Sequence, residues 1–312
     1  MEPFNLIQFY QKFGTEEQCQ DFLFKNRWAN GVTCPKCGEI DVKTYKLASG
    51  RYKCASCRSA FTVRAGSIFE ESPVPLQKWF LAIYLCGSLK KGISSIQLSK
   101  YIGVTQKTAW FMLQRIRYVF ENDDLEPLSG LVEMDEAYIG GSDKYKHHNK
   151  KLKTLTGKSA SGFGSKNSKA PVVGMIERGG SLRAIATQDT GSATLMTLAR
   201  KHIDITATIY TDEHMPYRTL PKLGYKHESV NHGVKEFVNG MASTNTAEGF
   251  WSHLKRGING IYHHVSPKHL QMYCDEYSCR WNTRSMTDGE RFEDWFNGVN
   301  GKRLTYKALL SK

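Results

Sequence analysis

The sequence predicts a multidomain chain: a small cysteine-bearing ribbon and a helical, helix-turn-helix-like part, followed by an α/β domain on a mixed sheet. Three observations carry that reading. Two Cys-x2-Cys pairs lie between residues 34 and 57, apolar residues repeat at helical spacing from Leu76 to Phe120, and strand-like and helix-like segments alternate from Leu131 onward.

Residues Thr15 to Trp28 read as a short amphipathic helix with Cys19, Phe22 and Leu23 on one side, so 1–28 is set apart as an amino-terminal helix. The turn-rich segment that follows, 29–68, holds Cys34-Pro-Lys-Cys37 and Cys54-Ala-Ser-Cys57, separated by sixteen residues. Each tight turn points two thiolates at one centre, and two turns complete the closed tetrahedron of structural Zn²⁺. A segment this small buries little core, so the metal supplies much of its folding energy. Arg51, Lys53, Arg58 and Arg64 surround the cysteines and suggest a face turned to nucleic acid. Cys19, Cys86, Cys274 and Cys279 lack such spacing and read as buried thiols.

Residues 69–126 read as a helical domain. Trp79, Phe80, Ile83 and Tyr84 repeat at helix spacing, then Ser94–Tyr101, Gly103-Val104 and Thr105–Tyr118 form helix, turn and second helix. Ile96, Leu98 and Ile102 are expected to pack on Ala109, Leu113 and Ile116. Gln106, Lys107, Gln114, Arg115 and Arg117 are expected to face outward, in the manner of a recognition helix entering the major groove. A plain helical hairpin gives the same periodicity.

Asn122-Asp-Asp124 through Pro127 and Gly130 breaks the pattern, and 127–290 reads as the α/β domain, with 291–312 as a tail. Expected strands are Leu131–Ile139, Val172–Glu177, Leu182–Thr187 after the Gly179-Gly180 turn, and Ala207–Tyr210 leading to Asp212. Expected helices are Ser192–His202, Thr246–Ile258 and Pro267–Asn282, the last started by Ser266-Pro267. Between the first two strands, Asp143–Lys169 carries eight lysines and one acid and reads as a loop that binds DNA backbone, with Lys144, Lys150 and Lys151 as contacts.

Three acids stand out. Asp135 sits among apolar neighbours on the first strand, Asp212 ends the fourth, and Glu248 opens a later helix, with 35 residues between it and Asp212. That layout is the one of the ribonuclease H-like fold, in which three carboxylates meet at one sheet edge. Clustered carboxylates resist joint ionisation unless cations neutralise them. Oxygen ligands suit hard divalent ions, Mg²⁺ or Mn²⁺, which promote in-line phosphodiester displacement. On the Glu248 helix, Ala247, Phe250, Trp251, Leu254 and Ile258 form one apolar face, while Glu248, Ser252, Lys255 and Asn259 form a polar stripe. Lys255 therefore faces the same way as Glu248 and suits an adjacent DNA phosphate. An alternative use of Glu248 is a capping box with Asn245. Glu136 and Glu213 follow the aspartates directly, point to the opposite face and read as supporting or surface groups.

Forty-three Lys and Arg against 30 Asp and Glu leave a net charge of +13, which draws polyanions through counterion release. No basic amphipathic helix or long apolar run points to a membrane, and the acidic start lacks a secretory pattern, so a cytoplasmic chain is expected. No P-loop is present, which argues against ATP-driven chemistry.

The runs Trp28-x5-Cys34-Pro-x-Cys37-Gly38, Lys91-Gly-Ile-Ser-Ser-Ile-Gln-Leu98, Val132-Glu-Met-Asp135-Glu-Ala-Tyr-Ile-Gly-Gly141, Tyr210-Thr-Asp212 and Asn245-Thr-Ala-Glu248-Gly-Phe-Trp-Ser-x-Leu-Lys255-Arg256-Gly257 span most of the chain. Together they resemble bacterial insertion-sequence transposases, in particular the ISXO-two-like DDE group with an amino-terminal zinc ribbon. The resemblance implies metal-dependent DNA cleavage and strand transfer at the ends of a mobile element. It makes Asp135, Asp212 and Glu248 the metal ligands and Lys255 the additional basic residue. Members often carry His before the Thr-Asn of the third motif; Ser243 stands there in this chain. The expected partners are double-stranded DNA, both element ends and target, and further copies of the chain in a dimer or larger assembly at the nucleoid. Gln106, Lys107, Arg115, Lys144, Lys150, Lys151 and Arg256 are the expected DNA contacts. Two rivals differ in class: a zinc-ribbon DNA-binding regulator, and a nuclease or resolvase on the same fold that cuts without joining.

Overall fold

The computed structural model describes residues 4–121, 126–140, 169–230 and 245–311. They fall into two compact units, Met1–Glu121 with Ser285–Lys312, and Asn122–Arg284. The first border falls within the expected Asn122–Gly130 break.

In the first unit, Leu6–Lys12 and Glu16–Arg27 are helices, each started by a reciprocal capping box, Asn5 with Gln8 and Thr15 with Gln18. The ribbon is a three-stranded antiparallel sheet of β1 (Thr44–Lys46), β2 (Tyr52–Cys54) and β3 (Ala60–Phe61). Helix Leu76–Ser88 is apolar nearly all round and buried accordingly. Helix Ser95–Ile102 is capped by the Ser94 hydroxyl and ended by Gly103 in the left-handed region at φ 61°, and Thr105 then caps Gln106–Tyr118.

Two expectations for this pair of helices are corrected. Ile96 is 60% exposed instead of packing inward, whereas Leu98, Ile102, Ala109, Leu113 and Ile116 are buried as expected. Gln114, Arg115 and Arg117 do not face outward: they are 0%, 6% and 2% exposed. Arg115 donates to the carbonyls of Ile68 and Glu70, each at 2.9 Å, and to that of Leu304 at 2.9 Å. A buried guanidinium needs such acceptors, and two chain segments, 68–70 and the one at Leu304, supply three of them.

The second of these comes from the end of the chain. Residues 291–312 are not a tail: Asp288–Asn297 and Tyr306–Ser311 are helices. Phe292 and Phe296 are buried with Phe9, Phe13 and Phe80, with Phe80–Phe296 centroids 4.5 Å apart and Phe13–Phe292 5.5 Å apart. The edge-on and tilted ring pairs favoured by aromatic quadrupoles thus join the two ends of the sequence into one core.

The second unit is a five-stranded mixed sheet in the order β6-β5-β4-β7-β8: β4 (Leu131–Ile139), β5 (Ala170–Glu177), β6 (Leu182–Ala186), β7 (Thr208–Thr211) and β8 (Lys226–Ser229). β4, β5 and β6 pair antiparallel; β4 with β7 and β7 with β8 pair parallel. This is the ribonuclease H-like arrangement. Strand alternation divides the core. Val132, Met134, Val173 and Met175 pack toward helix Ser192–His202 and the 3-10 segment Met215–Leu223, while Ala137, Ile139, Val172 and Ile176 pack toward helices Asn245–Gly257 and Leu270–Asn282. Strand β8 was not foreseen, because Lys226-His-Glu-Ser229 lies at the sheet edge and has no apolar pattern to show. Pro267–His269 is a 3-10 turn leading into the helix expected over 267–282.

Candidate active site and metal centre

The ribbon brings its four cysteines together. The Sγ atoms of Cys34, Cys37, Cys54 and Cys57 all lie within 4.8 Å of one another, with Cys34–Cys57 at 3.8 Å and Cys37–Cys54 at 3.9 Å. Four sulfurs about 2.3 Å from a tetrahedral zinc stand at about this separation from one another. Hydrogen bonds from Ser59 hold the Cys57 thiol down at about 6. A backbone hydrogen bond at Glu39 lowers Cys37, but desolvation and its bonds to the other three thiols outweigh it and push that thiol up to about 12. The cluster thus shares its protons unevenly, as crowded thiols do. Gly38 and Arg58, the residues that follow the two Cys-x2-Cys turns, both adopt positive φ, 75° and 60°.

At the sheet, β4 carries Asp135 at its middle, paired across to Gly174 of β5. Gly174 leaves room for the Trp251 ring, since a Cβ there would stand 2.7 Å from Cζ2. Trp251 Nε1 donates to Asp135 Oδ2 at 2.8 Å, which orients one oxygen of the carboxylate. Asp212 follows β7, the parallel neighbour of β4, and its Oδ1 accepts from the His214 backbone at 3.0 Å. Glu248 is exposed in the first turn of helix Asn245–Gly257. Burial pushes the Asp135 carboxyl above the ordinary carboxylate range, and the charges of Asp212 and Glu248 push it the same way; the Trp251 hydrogen bond opposes them. The charges of Asp212 and of Glu248 each reach Asp135, but the three carboxylates do not stand within a shared ion's reach of one another as they are. Among the described residues, only the thiols form a group of three or more ligands tight enough to share an ion as they stand.

The Glu248 helix follows its periodicity. Ala247, Phe250, Trp251, Leu254 and Ile258 are buried, and Glu248, Ser252, Lys255 and Asn259 are exposed. Arg256 is exposed, with Nε donating to the Ser252 carbonyl at 3.1 Å. The capping alternative for Glu248 gives way to a different group. Glu133 of β4, fully buried, accepts from the Thr246 and Ala247 backbones, each at 3.0 Å. Glu136 points to the other face, as alternation requires, where Tyr217 Oη donates to it at 2.5 Å and His214 Nδ1 lies 2.8 Å away. Burial pushes the Glu136 carboxyl up.

Gln106 and Lys107 are exposed at the start of their helix, and the Lys107 ammonium lies 5.2 Å from the centroid of the Tyr306 ring. Arg115, buried on backbone carbonyls, is withdrawn from the DNA-facing set. Lys144, Lys150 and Lys151, with most of the lysine-rich segment and Ser243, lie outside the described residues. Glu133, Trp251 and Gly174 were not singled out from the sequence. The signal for Glu133 was present: an acid two positions before Asp135, on the same strand face.

Known proteins match this architecture along its length. The ISXO2-like transposase domain matches residues 127–282, and the transposase zinc-ribbon domain matches residues 14–60. The chain is 32% identical to an uncharacterised protein in transposable element ISH50 of Halobacterium salinarum, over 86% of this chain and 91% of that one. It is 26% identical to an uncharacterised transposase-like protein of Haemophilus influenzae, over 31% of this chain and 78% of that one. Among solved structures, a chain of the pre-cleavage Mos1 transpososome overlaps 66% of this chain and 74% of its own, at 11% identity and TM-score 0.20. The Mos1 strand transfer complex gives 70%, 81%, 13% and 0.20. The coverage by the transposase domain and the full-length relative decide the matter: the chain belongs to the ISXO2-like transposase family.

Proposed function

We propose that this protein cuts DNA at the ends of a mobile element and joins the freed 3′ ends to a target, using Asp135, Asp212 and Glu248 as the metal-holding set. The observation that carries the reading is the placement of Asp135 on β4 with Asp212 at the end of the neighbouring β7 and the Glu248 helix tied to Asp135 through Trp251, so that burial and the charges of the other two acids push Asp135 up. Such a group gains by binding a hard divalent cation, and its all-oxygen donors suit Mg²⁺ or Mn²⁺. When bound, the ions supply Lewis-acid activation of the attacking oxygen and of the phosphodiester.

The chain's own residues do the positioning. Trp251 holds one Asp135 oxygen, and the His214 backbone N–H holds one from Asp212. Lys255 and Arg256 present positive charge on the exposed side of the Glu248 helix, where a duplex backbone would lie. The zinc ribbon, with Gln106 and Lys107, would bind the element ends, and Lys144, Lys150 and Lys151 would add backbone contacts. Two ends must be held at once, so the working form is a dimer or larger assembly of chains on DNA. Among the described residues no helix is long and apolar enough to cross a membrane; acting on DNA, the protein would work at the nucleoid.

The test uses purified protein, labelled terminal-repeat DNA and Mn²⁺ or Mg²⁺, scored for nicking and strand transfer. Asp135→Asn is expected to abolish both while end binding in a gel-shift assay stays within about twofold. Equal loss of binding and cleavage would remove Asp135 from the catalytic set. Metal-dependent nicking without joined product would favour a nuclease.

A further inference from the structure

We infer that Glu133 and Trp251 are positioning residues, a two-point clamp that sets Glu248 against Asp135 before any cation is bound. The inference rests on the carboxylate assignment proposed above and concerns how that set is held. Glu133 and Asp135 lie two residues apart on β4 and so share a strand face. Glu133 Oε2 accepts from the backbones of Thr246 and Ala247, each at 3.0 Å, and Oε1 accepts from Thr246 Oγ1 at 2.9 Å and from Arg178 Nε at 2.8 Å. Residues 246 and 247 belong to the first helical turn, whose N–H groups lack partners within the helix and where negative charge is favoured. Glu133 thus performs, from a strand more than a hundred residues away in sequence, the task that a local capping residue performs elsewhere.

The second attachment is Trp251, whose indole N–H meets Asp135 and whose ring fills the space over Gly174. Glu248 lies between the two attachments, at 246–247 and 251. Two residues of one strand therefore bracket it, one of them Asp135 itself. Arg178 extends the arrangement. Its guanidinium lies 4.6 Å from the centroid of the Tyr210 ring, and Tyr210 pairs with Glu133 across β4 and β7, on the strand that leads to Asp212. The elements that carry all three acids meet at Glu133. With both oxygens engaged by four donors, Glu133 holds the frame and is not itself a fourth ligand.

The test is a Mn²⁺ titration of the full-length, zinc-loaded chain followed by electron paramagnetic resonance, with amide exchange measured in parallel. Loss of groups that orient metal ligands typically weakens metal binding by about 10–100-fold. Glu133→Gln keeps the shape, removes the charge, and is expected to weaken Mn²⁺ binding within that range while amide exchange over 246–248 quickens. Trp251→Phe keeps the ring over Gly174 and is expected to weaken Mn²⁺ about tenfold without quickening exchange at the helix start. Wild-type Mn²⁺ affinity in Glu133→Gln overturns the inference, whether or not exchange changes. Should that variant fail to fold, wild-type affinity in Trp251→Phe overturns it. Mn²⁺ binding that survives Asp135→Asn would overturn the carboxylate assignment and the clamp together, whereas a null result in the two clamp variants alone leaves that assignment standing.

Discussion

Helices Gln106–Tyr118 and Asn245–Gly257 have the same length, thirteen residues, and each carries basic residues in its last turn. Read by periodicity, each shows an apolar face and a polar face. In the second helix the polar stripe meets solvent, and Glu248, Lys255 and Arg256 are exposed. In the first, Gln114, Arg115 and Arg117 are buried, and residues 68–70 and the returning segment at Leu304 close over Arg115. A polar stripe marks a free surface only if no other part of the chain comes back to cover it. Where one does, as at Arg115, a polar side chain becomes an internal hydrogen-bond donor and holds segments distant in sequence together.

The comparison can be tested from its largest effect downward. If the exposed stripe of the second helix is functional, Glu248→Gln should lower DNA cleavage by about a thousandfold, as loss of a group that stabilises transition-state charge can. The melting temperature should stay unchanged, because the side chain is exposed. If Arg115 is structural, Arg115→Ala should destabilise the first unit by about 3 kcal/mol, since three buried carbonyls lose a charged donor; chemical denaturation measures this. Its residual DNA affinity, measured where the protein is folded, should match the parent. A parent-like stability with weakened DNA binding would reverse the assignment.

Smaller changes sharpen the contrast. The buried face of the Glu248 helix packs closely at Gly257, where a Cβ would stand 1.5 Å from Tyr277 Oη. Gly257→Ala should therefore cost about 2 kcal/mol in stability by overpacking, with cleavage falling as the helix shifts. Lys255→Ala should weaken DNA binding without a stability change and reduce the slope of log affinity against log salt by about 0.9, one phosphate contact's worth. Lys107→Ala should have the smallest effect on binding, because its ammonium is partly engaged by the Tyr306 ring.

The legible parts of the molecule were those specified by neighbours in sequence. Two Cys-x2-Cys turns define the zinc site whatever surrounds them, and β4 and helix Ser192–His202 are found with the bounds that alternation and helical spacing predict. Edge strand β8 leaves no apolar pattern in the sequence, since an edge needs none, and Asp288–Asn297 falls mostly in the stretch that reads as a tail although its Thr287–Glu290 capping box is present. Glu133 was visible as an acid in an apolar strand. Its purpose was not, because its partners lie 113 and 114 residues away.

By itself, then, the sequence determined the cysteine cluster and most of the strands that build the sheet, since spacing and periodicity act over a few residues. Only the tertiary structure decided which polar side chains reach solvent, which end of the chain completes the first core, and what ties the Glu248 helix to β4. Those outcomes depend on burial and hydrogen-bond satisfaction between segments distant in sequence, and a local pattern carries no information about which distant segment will arrive.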